Sequence, residues 1–492
     1  MNPIKQTRSL CPVCLKVIDA TIYEENGKVY IGKECPEHGG VKEVYWSDYE
    51  QYKRAQKYSA IGRGIEVPQT KAEHGHPFDC GLCPNHKSSS SLAIIDVTNR
   101  CNLSCPICFA NANVTGTVYE PTKVQIRDML KNLRSIYPIP PDGLQFSGGE
   151  PTVREDLPEL VRMAKEEGFD HIEINTNGIR LAGSVDYCKE LLDAGVSTIY
   201  LQFDGIRPEV YVSTRGVPLW ETKLKAIENC RKSGLDSIVL VPTIVKGVND
   251  DQLGAIIEFA HQNFDVIRCV NFQPVSITGR ISYDERKEMR ITIPDCTRLI
   301  EEQTGGAIKV SDFYPVPVVV PIAKAVGAIK NRRYPEFTVH EHCGVATFLL
   351  ENEGKLVPIT KYIDIDGFIG SMNNIYDTAS KGYKRSAQIK LFSSTLRYAK
   401  LGLIRQLAGA VFQEGSYDSL GKFMRRVLMI GMMHFQDLYN FDLERLERCG
   451  IHYAIPDGRI IPFCAMNSIY RPKVEKTFGI PLKEWQEREN KP

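Results

Sequence analysis

No stretch of about 18 uninterrupted apolar residues occurs in the 492-residue chain, and a membrane-spanning helix needs one. The nearest approach, residues 316–329, is broken by Pro317, Pro321 and Lys324. No apolar run precedes the first cysteines in MNPIKQTRSLCPVC, so no signal peptide is expected and the chain is expected to stay in the cytosol. Net charge is nearly absent: 61 Lys and Arg against 60 Asp and Glu leave +1. That argues against a broad nucleic-acid-binding face, although local basic stretches remain. No internal repeat is evident.

Cysteine, by contrast, is abundant, with fifteen. In a reducing compartment such clustering favours metal over a disulfide framework. At roughly 150 residues per domain the length implies two or three units. Residues 1–90 form a Cys-rich segment with short strand-like pieces, 20–23 and 29–31, closed by the serine run Ser88–Ser91. From 91 to 305, strand-like runs at 92–97, 144–146, 172–174, 198–203, 238–241 and 266–272 alternate with helical segments. These lie around 121–135, 156–167, 185–194, 220–233, 250–262 and 294–303. Six such units predict an α/β fold, a parallel sheet with helices on its outer face. Catalytic groups then gather at the carboxyl ends of the strands. Residues 306–492 are mixed at first, then helical and rich in Leu, Met, Arg and Lys over 381–448.

The string CNLSCPICF follows the first barrel strand and places Cys101, Cys105 and Cys108 at C-x3-C-x2-C spacing. Thiolates are the natural ligands of iron–sulfur clusters, and three of them leave one iron of a four-iron cube open; a zinc loop is the alternative. SGGEP follows the second strand, where Gly148 and Gly149 allow close backbone approach and Glu150 offers a carboxylate for an ammonium group. NTNG (Thr176, Asn177), QFDG (Gln202, Asp204) and VPTIVKG (Thr243) close the next three strands. Five such motifs in order, at successive strand ends, form one rim.

On these motifs the region resembles the radical S-adenosylmethionine (SAM) family, whose fold is a partial (βα)6 barrel. The resemblance implies reductive SAM cleavage to a 5′-deoxyadenosyl radical that removes a hydrogen atom from substrate. Cys101, Cys105 and Cys108 would hold the [4Fe–4S] cluster, with the SAM amino and carboxylate groups on its open iron. Glu150 would meet the SAM ammonium, and Phe109 would lie near adenine. Thr176, Asn177, Gln202, Asp204 and Thr243 would contact SAM or substrate. An electron donor such as a ferredoxin or flavodoxin is implied.

The other cysteines point to N-terminal and C-terminal metal or cluster extensions. The knuckles Cys11/Cys14 and Cys80/Cys83 are able to wrap one metal, in the manner of rubredoxin or a zinc ribbon. Cys35 then serves another centre or replaces one of them. His38 and His86 are possible ligands that read better as outer-shell or surface residues. Cys343, Cys449 and Cys464 sit in loop-like contexts and suit an auxiliary cluster, with a fourth ligand from Cys35 or elsewhere. Cys188, Cys230 and Cys269 read as core, and Cys296 is undecided.

Over nearly its full length the chain also resembles the archaeal tetraether synthases. The strings are CPVC, CPEHG and CGLCPNHK before the barrel, and DVTNRCNLSCPICFANAN, LQFSGGEPTVREDLPEL and YLQFDG within it. VNFQPVSITGR, HCGVATFL, MMHFQDLYNFDLERLERCGIHY and IPFCAMNS follow. That resemblance implies auxiliary [4Fe–4S] clusters, a rubredoxin-like mononuclear iron and coupling of terminal methyl carbons of archaeol lipid tails into tetraether or macrocyclic lipids. One carbon radical would be held on an auxiliary-cluster sulfide between two abstractions. Residues 384–412 alternate Lys390, Arg397, Lys400 and Arg405 with apolar residues. That pattern suits either an anionic membrane surface or a core-packing helix. VLMIGMMHF suits an apolar tunnel or plain core. Two other readings share the barrel: a methylase of a pterin or other small substrate, and a peptide- or protein-modifying enzyme.

Overall fold

A computed structural model describes residues 2–79, 81–112, 116–279, 281, 285–400 and 427–489. The first four strands, β1 (Asn2–Leu10), β2 (Val17–Glu25), β3 (Lys28–Cys35) and β4 (Gly39–Trp46), form a sequential antiparallel sheet. Asn26 and Gly27 both take positive φ between β2 and β3, the two-residue turn that matches the twist of a hairpin. The strand-like pieces 20–23 and 29–31 lie inside β2 and β3. β1 has no apolar alternation to announce it, because its partners are polar: Thr7 Oγ1 donates to Asp442 at 2.7 Å and Ser9 Oγ to the Phe441 carbonyl at 2.5 Å.

The barrel follows as β5 (Leu92–Thr98), β6 (Thr117–Val118), β7 (Gly143–Gly148), β8 (His171–Thr176), β9 (Thr198–Gln202), β10 (Ile238–Val241), β11 (Thr243–Ile244) and β12 (Ile267–Pro274). Six of these lie side by side and parallel, in the order β12-β10-β9-β8-β7-β5. Helices Lys123–Arg134, Leu157–Glu166, Val185–Ala194, Trp220–Ser233, Leu253–Gln262 and Ile293–Gln303 follow the strands, so the chain is an α/β protein built on a partial (βα)6 barrel. Alternation along each strand separates two faces. Leu144, Phe146, Ile172, Ile174, Ile199 and Val270 have no exposed surface and belong to the main apolar core, each contributing about 1.5–3 kcal/mol by burial. The alternate residues, Gln145, Glu173, Asn175, Tyr200, Gln202 and Asn271, line the barrel interior.

The C-terminal third completes this sheet. β13 (Tyr314–Pro315), β14 (Gly344–Asn352), β15 (Lys355–Pro358), β16 (Val427–Met433), β17 (Ile451–Ala454) and β18 (Ile460–Pro462) join both of its edges. β16 pairs parallel with β12, and β17 pairs parallel with β5. Expected helicity over 381–448 gives way here. Lys384–Tyr398 and Leu443–Glu447 are helices, but the Met-rich 427–433 run is a strand. It is apolar on both faces, carries Gly431, and meets the open edge of β12, where a strand satisfies two rows of backbone groups at once. Helix Lys384–Tyr398 packs beside Ile365–Ser380 with Ile389, Phe392 and Leu396 exposed. Residues 401–426, including Arg405 and the rest of the basic–apolar stretch through 412, lie outside the described residues. Among the described residues no helix is long and apolar enough to cross a membrane.

Candidate active site

Cys101, Cys105 and Cys108 stand on the loop that leaves β5, and their side chains line one cavity of about 270 Å³. Backbone geometry wedges the neighbouring turn beneath them. Gly148 has φ +134°, and a Cβ there would lie 2.0 Å from the Thr98 carbonyl oxygen; at Gly149 it would lie 2.3 Å from that of Arg100. Only glycine fits both the angle and the contact. The Gly149 and Glu150 amides then donate to the Thr98 and Arg100 carbonyls, each at 2.8 Å. Burial, reinforced by the Glu150 charge, pushes the Cys101 thiol up to about 12, and burial raises Cys105 as well. Three half-buried thiols lining one pocket suit a soft metal cluster, whose charge would hold them as thiolates.

Around this loop the same cavity gathers Phe109, Gly148, Gly149, Glu150, Thr176, Asn177, Gln202 and Thr243. Glu150 is buried and its carboxylate fixed: Oε1 accepts from Thr152 N–H at 3.1 Å and Thr176 Oγ1 at 2.6 Å, and Oε2 from Asn177 N–H at 2.7 Å. Asp204 is not on the cavity wall. It has no exposed surface and accepts two bonds from Arg215, Nε at 2.6 Å and Nη2 at 2.8 Å, with further donors in Thr214 Oγ1 and Thr243 N–H. Burial opposes the Asp204 charge, yet the Arg215 guanidinium holds the carboxyl below its usual range.

Two residues of this rim escape a reading of the sequence. Arg215 lines the cavity and interacts with Cys105; its signal is the STRG run, in which Arg215 stands ten residues past Gly205 of QFDG. Lys223 stands behind the wall and donates to the Asn177 carbonyl at 2.5 Å and Gln202 Oε1 at 2.8 Å. Burial pulls its amine down to about 7. Nothing in the charge pattern of its helix separates it from a surface lysine.

Cys11, Cys14, Cys35 and His38 bring one ligand atom each within 4.8 Å of one another. Burial opposes ionisation of Cys11, but the Cys14 and Val13 backbone amides and the neighbouring thiols bring it down to about 6. Four such groups at the tip of one hairpin sheet fit a tetrahedral metal. The pairing differs from two knuckles sharing a metal: Cys35 and His38 complete the Cys11/Cys14 knuckle, because β3 ends beside it. His38 therefore stands with the thiols rather than outside them. Cys83 lies elsewhere, 3.7 Å from His76 Nε2, and His86 meets His452 at 3.2 Å. Cys80 lies outside the described residues.

Cys343 precedes β14, Cys449 precedes β17 and Cys464 follows β18. The three thiols lie close enough for their charges to act on one another; burial first, then Cys343, raises Cys449 to about 11. Cys464 also lines the cavity of the cluster loop. Arg445 Nε donates to Cys343 Sγ at 3.4 Å. Cys35, engaged in the N-terminal group, is not their fourth partner. Cys188, Cys230, Cys269 and Cys296 are buried in the barrel layer.

The family model of the radical SAM superfamily matches residues 95–260, and that of the HMPTM N-terminal zinc ribbon domain matches residues 3–47. The chain is 51% identical to the 7,8-dihydro-6-hydroxymethylpterin dimethyltransferase of Methanocaldococcus jannaschii, over 98% of this chain and 97% of that protein. A probable GTP 3′,8-cyclase of Methanothermobacter marburgensis is 30% identical over 38% of this chain and 59% of that protein. Among solved structures, Streptococcus suis SuiB bound to precursor peptide SuiA is 18% identical, with a TM-score of 0.35 over 45% of this chain and 46% of that one.

The first of these relatives overturns the tetraether-synthase resemblance, and with it lipid-tail coupling and archaeol as substrate: a near full-length relative is named for a pterin. The cavity gives a physical reason. A hydrocarbon tail end seated against Glu173, which lines the cavity, would take water from its carboxylate and offer no hydrogen bond in return. The donor set does fit the superfamily's cofactors, a [4Fe–4S] cluster and SAM, with further metal centres suggested by the Cys-rich N-terminal sheet. Such enzymes need an electron donor. With half its residues shared across almost its whole length, this chain belongs to the radical SAM superfamily and, within it, to the family of the Methanocaldococcus dimethyltransferase.

Proposed function

We propose that this chain is a radical SAM methyltransferase acting on a pterin of the 7,8-dihydro-6-hydroxymethylpterin class. The observation that carries the reading is the 51% identity spanning 98% of the chain. In this reading Cys101, Cys105 and Cys108 hold the cluster in the barrel segment 91–305. Phe109, the Gly148–Gly149 turn, Glu150, Thr176, Asn177, Gln202 and Thr243 hold SAM and substrate, while Asp204 orients Arg215. Bound there, the cluster and SAM supply a radical able to attack a strong C–H bond. Glu150, fixed by its donors, meets the SAM ammonium. Cys11, Cys14, Cys35 and His38 bind a structural zinc or iron in segment 1–90. Cys343, Cys449 and Cys464 hold an auxiliary cluster in segment 306–492, and a ferredoxin or flavodoxin supplies electrons.

A nucleoside triphosphate, the substrate named for the cyclase relatives, is a poorer match. Among the described residues that line the cavity Arg215 is the one basic side chain, and Asp204 already engages it. Phosphates need several free cations.

The test is anaerobic incubation of the iron-loaded protein with SAM as radical source, dithionite, 7,8-dihydro-6-hydroxymethylpterin and a one-carbon donor, supplied in separate arms as further SAM or as a one-carbon-loaded reduced pterin, followed by mass spectrometry. The expected pterin products are heavier by one and then two methyl groups, and Cys105→Ala makes neither. Sustained SAM cleavage with an unchanged pterin would rule the reading out.

A further inference from the structure

The barrel interior carries a polar wall that neither the cluster nor SAM explains. Glu173 Oε2 accepts from Gln145 Nε2 at 2.8 Å, and Oε1 lies 3.0 Å from His171 Nε2. These partners pin the carboxylate while each oxygen keeps a second lone pair. One strand over, Asn175 stands in register with Tyr200. The Tyr200 hydroxyl accepts from Asn271 Nδ2 at 2.5 Å and Gln273 Nε2 at 3.1 Å. With both acceptor positions filled, its proton is what remains to bond a ligand. Burial, with the Glu173 charge nearby, raises the Tyr200 pKa, so that proton stays on. Six of these seven side chains, all but the half-exposed His171, line the cavity of the cluster loop.

The wall therefore presents an anionic acceptor and a committed donor on adjacent strands. Its complement is a flat ring with two N–H groups on one edge and a carbonyl oxygen beside them. The pyrimidine half of a pterin has that edge: the 2-amino group, N3–H and the 4-oxo oxygen. We infer that Glu173 and Tyr200 grip this edge, Glu173 accepting from the 2-amino and N3 protons and Tyr200 donating to the 4-oxo oxygen. The inference rests on the pterin reading above and names the residues that would set its specificity. A ring held this way turns its other, pyrazine half toward the cluster loop, where a radical forms.

Calorimetric titration of the full-length protein tests it with two ligands, 7,8-dihydro-6-hydroxymethylpterin and its 2-oxo analogue, which lacks the amino group. The unaltered protein should prefer the pterin by about 30-fold or more, the range expected when a buried charged acceptor loses its donor. Glu173→Gln should bring the two ligands within about threefold of each other. Tyr200→Phe should weaken both by about tenfold and leave the preference intact. Equal binding of both ligands by the unaltered protein, or full preference retained in Glu173→Gln, overturns the inference while the pterin reading stands. Binding of neither ligand by the unaltered protein overturns both.

Discussion

Lys223 has no exposed surface, and its amine faces Asp204, Arg215, Glu150 and Cys105 from the first turn of helix Trp220–Ser233. Burial brings its pKa from 10.5 to about 7. Between those values the unfolded chain binds a proton that the folded chain does not, so stability rises with pH across the window, by at most about 1.4 kcal/mol per unit. Lys223→Met removes the titration and should remove that rise. Denaturant unfolding at pH 7 and pH 9 should show the native protein gaining about 2 kcal/mol more than the variant; equal gains would mean that the amine keeps its proton. At this scale the thiols were legible and the cations were not. Cys101, Cys105 and Cys108 declare themselves by spacing within one loop. Lys223 acts through Asn177, 46 residues earlier on the neighbouring strand's loop, and Arg215 through Asp204 across the loop that follows β9, neither of which a charge pattern announces. His38 sits between: CPEHG advertises a turn, but the turn's position beside Cys11 depends on the β2–β3 pairing.

The turn after β7 shows what an element contributes. Gly148 lets β7 end directly under the cluster loop, so the loop's height above the barrel is set by backbone contact. A methyl there must displace the Thr98 carbonyl. Gly148→Ala should cost about 2–5 kcal/mol from strain and overpacking and weaken SAM binding at least about tenfold. Wild-type melting together with wild-type affinity by equilibrium dialysis would show that the turn does not position the loop. The barrel strands and helices were readable because period and punctuation agree there: helices Val185–Ala194 and Trp220–Ser233 have the bounds expected of them. β16 was not, because an apolar run with both faces buried has no period, and its partner β12 lies far away in sequence.

Across the whole molecule, the N-terminal sheet is seated on the C-terminal segment rather than tethered beside it. Asp442, without exposed surface, accepts from Thr7 Oγ1 at 2.7 Å and Tyr45 OH at 2.9 Å, and Lys33 Nζ donates to the Leu438 carbonyl at 2.6 Å. Asp442→Ala should cost about 2–4 kcal/mol by stranding those donors. Limited proteolysis with mass spectrometry should then find the first cuts within residues 1–47, with the barrel intact; an unchanged cleavage pattern would mean that other contacts seat the sheet. The joining of the two chain ends over the barrel also sets an order of assembly. Ser91 at the head of β5 bonds to Gly450, 359 residues later, and β12 likewise waits for β16. At bacterial-like rates of synthesis, about 5–20 residues per second, the partial barrel stands on the order of tens of seconds with both edge strands bare. During that interval the nascent chain is a template for sticking to its own copies, and the hazard ends only when β16 and β17 have been made and take up the two edges.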